Sequence, residues 1–147
     1  VLTRPSIPAV LTLLGRAVAQ PDVHEGNDLI LTAQLLAMTA RRAELEPGYI
    51  ESEVRAYRAV GEAVVAEGHG DTVAIRAALD ELDSHLSSGS VAAQDFRAYS
   101  LASEVLCLAI DATRGATGPA TEATAAALAL REEHQAQIVG DFTVAGR

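Results

Sequence analysis

Apolar residues recur along most of this chain at helical spacing, and no useful length follows the period of two that marks a strand. Ile7, Leu11, Leu14 and Val18 make one stripe, which predicts a helix over about Ile7–Ala19. Ser6 is its N-cap, Pro8 is tolerated in its first turn, and Gln20-Pro21-Asp22 ends it. A second helix is predicted over about Asp28–Leu45, capped by Asn27, with Asp28 at its positive end and Arg41 and Arg42 at its negative end. Pro47 opens a third, about Gly48–Glu67, and Gly68 closes it. Its Ile50, Val54, Tyr57, Gly61 and Val64 form one face; Glu51, Arg55, Arg58 and Glu62 lie opposite, paired at i,i+4.

The fourth helix, about Thr72–Ser87, has Asp71 as N-cap and Ile75, Leu79, Leu82 and Leu86 as its stripe. Ser88-Gly89-Ser90 breaks the chain, and Ser90 caps a fifth helix over about Val91–Arg114. After the connector Gly115–Gly118, Pro119 takes the first position of a sixth helix, about Pro119–Val139. The last residues, Gly140–Arg147, are too few for another element, though Val139–Val144 suits a short extended arm.

Two stretches, Leu29–Ala40 and Leu101–Ala112, are apolar on nearly every side of a helix. Such helices are buried on several sides. Short connections make antiparallel neighbours. The expectation is therefore an all-α, single-domain bundle of five or six helices over residues 1–147, with two central, largely apolar helices and flexible termini at about 1–5 and 140–147. Six helices barely cover two such central ones, and helix six carries a smooth alanine face, so a homodimer is expected to complete the burial.

Composition narrows the function more than it names it. A chain of 147 residues buries enough surface to need no staple. All its basic residues are arginine, which GC-rich codon usage explains, and the net charge is −9. That field repels nucleic acid and anionic membranes. With only five aromatic residues there is little to stack bases on. The single Cys107 suits a small buried hydrophobe rather than a disulfide partner. No secretory signal and no apolar run of membrane-spanning length is evident, so a soluble cytoplasmic protein is expected.

The candidate site residues are few. His24, His69 and His85 sit at turns or a helix end, where exposed roles suffice. His134 instead falls on the apolar stripe of helix six with Ala123, Ala127, Leu130 and Ile138, where an imidazole can act as ligand or acid/base. Ser100, Glu104, Cys107 and Asp111 follow one another along helix five as a polar stripe, either an internal pocket with Glu104 as anchor or the solvent edge. Glu104 and His134 on facing helices would make a proton-moving or metal-binding pair. The Glu-x-x-His of bundle di-metal sites fails, because Arg131 stands where the Glu belongs. Other catalytic and phosphate-loop motifs are absent, and the acidic pairs Glu51, Glu53 and Asp80, Glu81, Asp83 read as solvated faces. No catalytic residue, metal ligand or cofactor is assigned.

The stretch Arg76-Ala77-Ala78-Leu79-Asp80-Glu81-Leu82, the Ser88-Gly89 break and Asp95-Phe96-Arg97-Ala98-Tyr99 together resemble, locally, the FCD-type ligand-binding domain of GntR regulators. The resemblance implies a helical ligand-binding domain with a metal-binding Asp-x-x-x-His. Tyr99 stands in place of that His, and Glu133-His134 resembles a later Glu-His of the family at shorter spacing. No winged-helix DNA reader accompanies the stretch, which spans about a third of the chain, and the family's final helix has no counterpart.

Three functions follow in order of expectation. The first is a non-enzymatic, self-associating interaction or adaptor protein with a possible protein partner. The second is a small-molecule-binding or sensing domain with His134, Glu104, Tyr99 and Tyr57 as polar anchors in an apolar pocket. The third is a small metal-dependent enzyme using the same residues.

Overall fold

The computed structural model describes residues 26–88 and 96–140, together with positions 7, 10, 11 and 14. Ser6, His24, Ser90 and most of the helix predicted over Ile7–Ala19 lie outside the described residues, as does the arm predicted beyond Gly140; the four described positions of that first helix are helical. The described residues form four long helices and no strand: α1 (Gly26–Glu67), α2 (Thr72–Ser87), α3 (Phe96–Thr113) and α4 (Pro119–Val139).

Helices α2 and α4 follow the expected punctuation, and α3 ends within a residue of its expected end, its expected start lying outside the described residues. The Asp71 carboxylate accepts from Val73 and Ala74 N–H and so caps α2. Pro119 opens α4, and Gly140, at positive φ, receives the chain after it. The break expected at Pro47-Gly48 does not form. Helices two and three are one 42-residue helix with Pro47 inside it. A proline removes one backbone donor and disfavours helix in the residue before it, but it does not always end a helix. Here the preceding turn is held by Arg42, whose Nε and Nη2 both donate to Glu46 Oε1 at 2.9 Å.

The chain divides into two compact units, residues 47–133 and the described residues of 4–46 and 134–147. In the first unit the face predicted on α1 is buried as expected: Ile50, Val54, Tyr57 and Val64, with Val60 beside them. Ile75, Leu79 and Leu82 of α2 and Ala98, Ala102, Val105, Leu106 and Ala109 of α3 complete its core with Tyr99. Gly61 is the point of closest approach, since a Cβ there would collide with Val105 Cγ1 and stand 3.2 Å from Leu79 Cδ2. At the other end of the same unit, Glu67 Oε1 accepts the Ala120 N–H at 2.8 Å and so caps the first turn of α4 from 53 residues away. The outward face carries the predicted i,i+4 pairs, Arg55–Glu51 and Arg58–Glu62.

In the second unit Arg41 does more than complement its own helix end. Its Nε donates to the Ile138 carbonyl at 3.1 Å and its Nη2 to the Val139 carbonyl at 2.6 Å, satisfying the last turn of α4. Thr39, Arg42 and Glu46 are the buried face of α1 in this unit, and His134 and Ile138 are buried on α4.

The two all-apolar stretches do not behave alike. Residues 101–112 supply the centre of the first unit's core. Residues 32–40 instead keep a solvent face: Ala33, Leu36, Ala37 and Ala40 are exposed. Most of that face is alanine, which forms helix well and costs little in water. Counting alanine as a core residue therefore overstated the burial of this stretch.

Candidate functional site

The most concentrated chemistry among the described residues is a buried carboxylate beneath two phenols. Glu53 lies on α1 one turn after Ile50 and one turn before Tyr57, so helical register carries it into the core face. It is fully buried, as is Tyr57, and Tyr99 of α3 is 5% exposed. The Tyr57 and Tyr99 hydroxyls both donate to Glu53 Oε2, each at 2.9 Å. Their rings lie 6.1 Å apart, tilted by 48°. Burial, followed by the adjacent Tyr99 and the Glu53 charge, pushes the Tyr57 hydroxyl well above the ordinary tyrosine range. The Tyr57 phenol is therefore a donor at neutral pH. The arrangement holds a carboxylate in a dry core and fixes α1 against α3 in one register.

Of the four anchors proposed from the sequence, Tyr57 and Tyr99 are brought together. His134 is buried, but in the second unit. Glu104 is exposed, as are Ser100 and Asp111, while Cys107 is half-buried. Of the two readings of that stripe, the structure places it at the solvent edge. Sequence pattern alone does not single out Glu53, because its neighbour Glu51 is exposed and the pair reads as one acidic face. Its spacing to Ile50 and Tyr57 was the available signal.

Four buried Ser and Thr hydroxyls are committed to their own helices. Ser103 donates to the Tyr99 carbonyl, Thr113 to Ala109, Thr124 to Ala120 and Thr39 to Leu35, at 2.7–2.8 Å. No group of His, Cys, Asp and Glu among the described residues has the arrangement of a metal site. Also among the described residues, no helix is long and apolar enough to cross a membrane.

An open groove of about 550 Å³ runs along α1 and α2, lined by Glu51, Val54, Arg55, Arg58, Asp83, Leu86 and Ser87. Arg58 donates to both Asp83 oxygens at 2.7 and 3.0 Å. That fork holds the Asp83 carboxyl below the usual carboxylate range and raises the Arg58 guanidinium. Arg55 is engaged by Glu51. The groove's charges thus neutralise one another.

No protein-family model, curated protein or solved structure matches this chain, the FCD-type domains included.

Proposed function

We propose that this protein is a non-enzymatic helical interaction protein that self-associates through the N-terminal half of α1. The observation that carries the reading is the solvent face of Ala33, Leu36, Ala37 and Ala40, with Leu36 half exposed. These four positions fall within about 100° of the helix surface at 100° per residue. They lie in residues 29–40, the longest run of the sequence without Asp, Glu, Lys or Arg. In a chain of net charge −9, a second copy is repelled wherever acidic surfaces meet, and a neutral face is where that cost is least. The acidic remainder of the surface keeps the assembly soluble and is open to a further protein partner. Sedimentation of the wild type over a concentration series tests this. A concentration-dependent dimer abolished by Leu36→Arg supports the reading, and a monomer at every concentration refutes it.

A second reading, a small-molecule-binding domain, is favoured by one observation, the convergence of Tyr57 and Tyr99 on Glu53. Native mass spectrometry before and after denaturation separates the two. A small mass released on denaturation favours the ligand, and a clean apo oligomer favours self-association.

A further inference from the structure

We infer that α1 carries a latched hinge at Pro47. Arg42 bound to Glu46 holds α1 as one helix, and release of Arg42 from Glu46 lets it part into the two helices that the punctuation predicts. The inference does not depend on self-association. Local preferences at this level of α1 all point to a break. Pro47 stands inside the helix with no N–H to offer the carbonyl four residues before it, and its ring crowds that carbonyl, which belongs to Ala43. It also disfavours the helical conformation in Glu46. Gly48 follows, and proline and glycine are the two residues least favourable in a helix interior. Packing adds little on one side: Ala43, Glu44 and Gly48 are exposed, and a Cβ on Gly48 would meet nothing within 4 Å. The compact units of the chain divide at the same bond, Glu46 in one and Pro47 in the other.

The opposing contact lies on the buried side. Arg42 Nε and Nη2 both donate to Glu46 Oε1, spanning the turn just before Pro47, with side chains 8% and 2% exposed. Removing one member of a buried ion pair leaves the other's charge desolvated, which is strongly unfavourable. Glu46 serves the open form as well. There Pro47 takes the first position of a new helix, where its missing N–H is not needed. Glu46 then precedes that helix, with its carboxylate at the positive end. One carboxylate thus belongs to Arg42 in the continuous helix and to the helix end in the broken one.

Amide hydrogen exchange of the full chain tests this. In the continuous helix the amides of Gly48, Tyr49 and Ile50 donate to the carbonyls of Glu44, Leu45 and Glu46, the bonds that a break at Pro47 removes. Arg42→Met keeps a long side chain and deletes the donors. It is expected to speed exchange at these three amides at least about tenfold, while Val60 and Val64 exchange as in the wild type. Adding Pro47→Ala should restore the slow rate. Pro47→Ala alone should slow the same three amides at least about tenfold relative to the wild type. Unchanged exchange at positions 48–50 in Arg42→Met, or equal exchange there with and without Pro47→Ala, overturns the latch. Acceleration spread evenly over α1 and α3 marks a general loss of stability and overturns it too. If Arg42→Met does not fold, Pro47→Ala decides alone, and no slowing at the three amides overturns the hinge.

Discussion

Removing either phenol hydroxyl above Glu53 should destabilise the first unit by an amount that its geometry sets. Tyr57→Phe and Tyr99→Phe each delete one 2.9 Å hydrogen bond to the same buried oxygen and change little else in shape. A hydrogen bond to a charged group contributes about 1.5–3 kcal/mol. Because both donors serve one oxygen, their losses are coupled. The first loss leaves one donor on Oε2, and the second leaves neither from this pair. The double variant is therefore expected to lose more than the sum of the singles, by about 0.5 kcal/mol or more, the usual floor for residues that share a partner. The assay is urea unfolding followed by far-ultraviolet circular dichroism. With a slope of about 1–3 kcal/mol per molar urea, each single variant should lower the midpoint by about 1 M. Singles within about 0.5 kcal/mol of wild type, the range of ordinary surface substitutions, would refute the reasoning. So would strict additivity in the double variant.

Other outcomes follow from the same packing. Gly61→Ala gains about 1 kcal/mol of helix propensity but forces a methyl onto Val105, so a net loss is expected on thermal melting, and a gain in melting temperature would contradict the close approach. Glu67→Ala should cost about 0.5–2 kcal/mol by removing the cap on Ala120, with amide exchange rising first in the opening turn of α4. Tyr57, held neutral by burial in the fold, ionises near its ordinary value of about 10 only when unfolded. Its stabilising contribution is thus complete below that pH and falls as pH rises further. In an alkaline absorbance titration, a late tyrosinate component should coincide with unfolding and disappear in Tyr57→Phe.

Much of the helical framework was legible because its signals are local. Asp71, Pro119 and the stripes on α2 and α4 depend on neighbours within a turn or two, and the helices begin and end where those signals stand. Pro47 misled because its effect depends on what holds the flanking turns, here the Arg42–Glu46 pair. The Leu29–Ala40 stretch misled because alanine reports helix as readily as it reports core. Glu53 was hidden by residue type, since a glutamate on an amphipathic helix is usually wet, and only its register placed it with Tyr57. Contacts across long sequence separations, such as Tyr99 to Glu53 or Arg41 to the end of α4, leave no local trace in the chain.

Sedimentation equilibrium of the wild type beside Leu36→Arg tests the central claim most directly. Burying the exposed half of Leu36 contributes about 1 kcal/mol per copy on the scale of a fully buried leucine. An isologous contact counts it twice, about 2 kcal/mol in all, and each 1.4 kcal/mol is tenfold in affinity. The variant should therefore dissociate at least about thirtyfold more readily while melting like the wild type. Equal dissociation constants for the two proteins, or a wild type that stays monomeric throughout, would contradict a dimer built on this face.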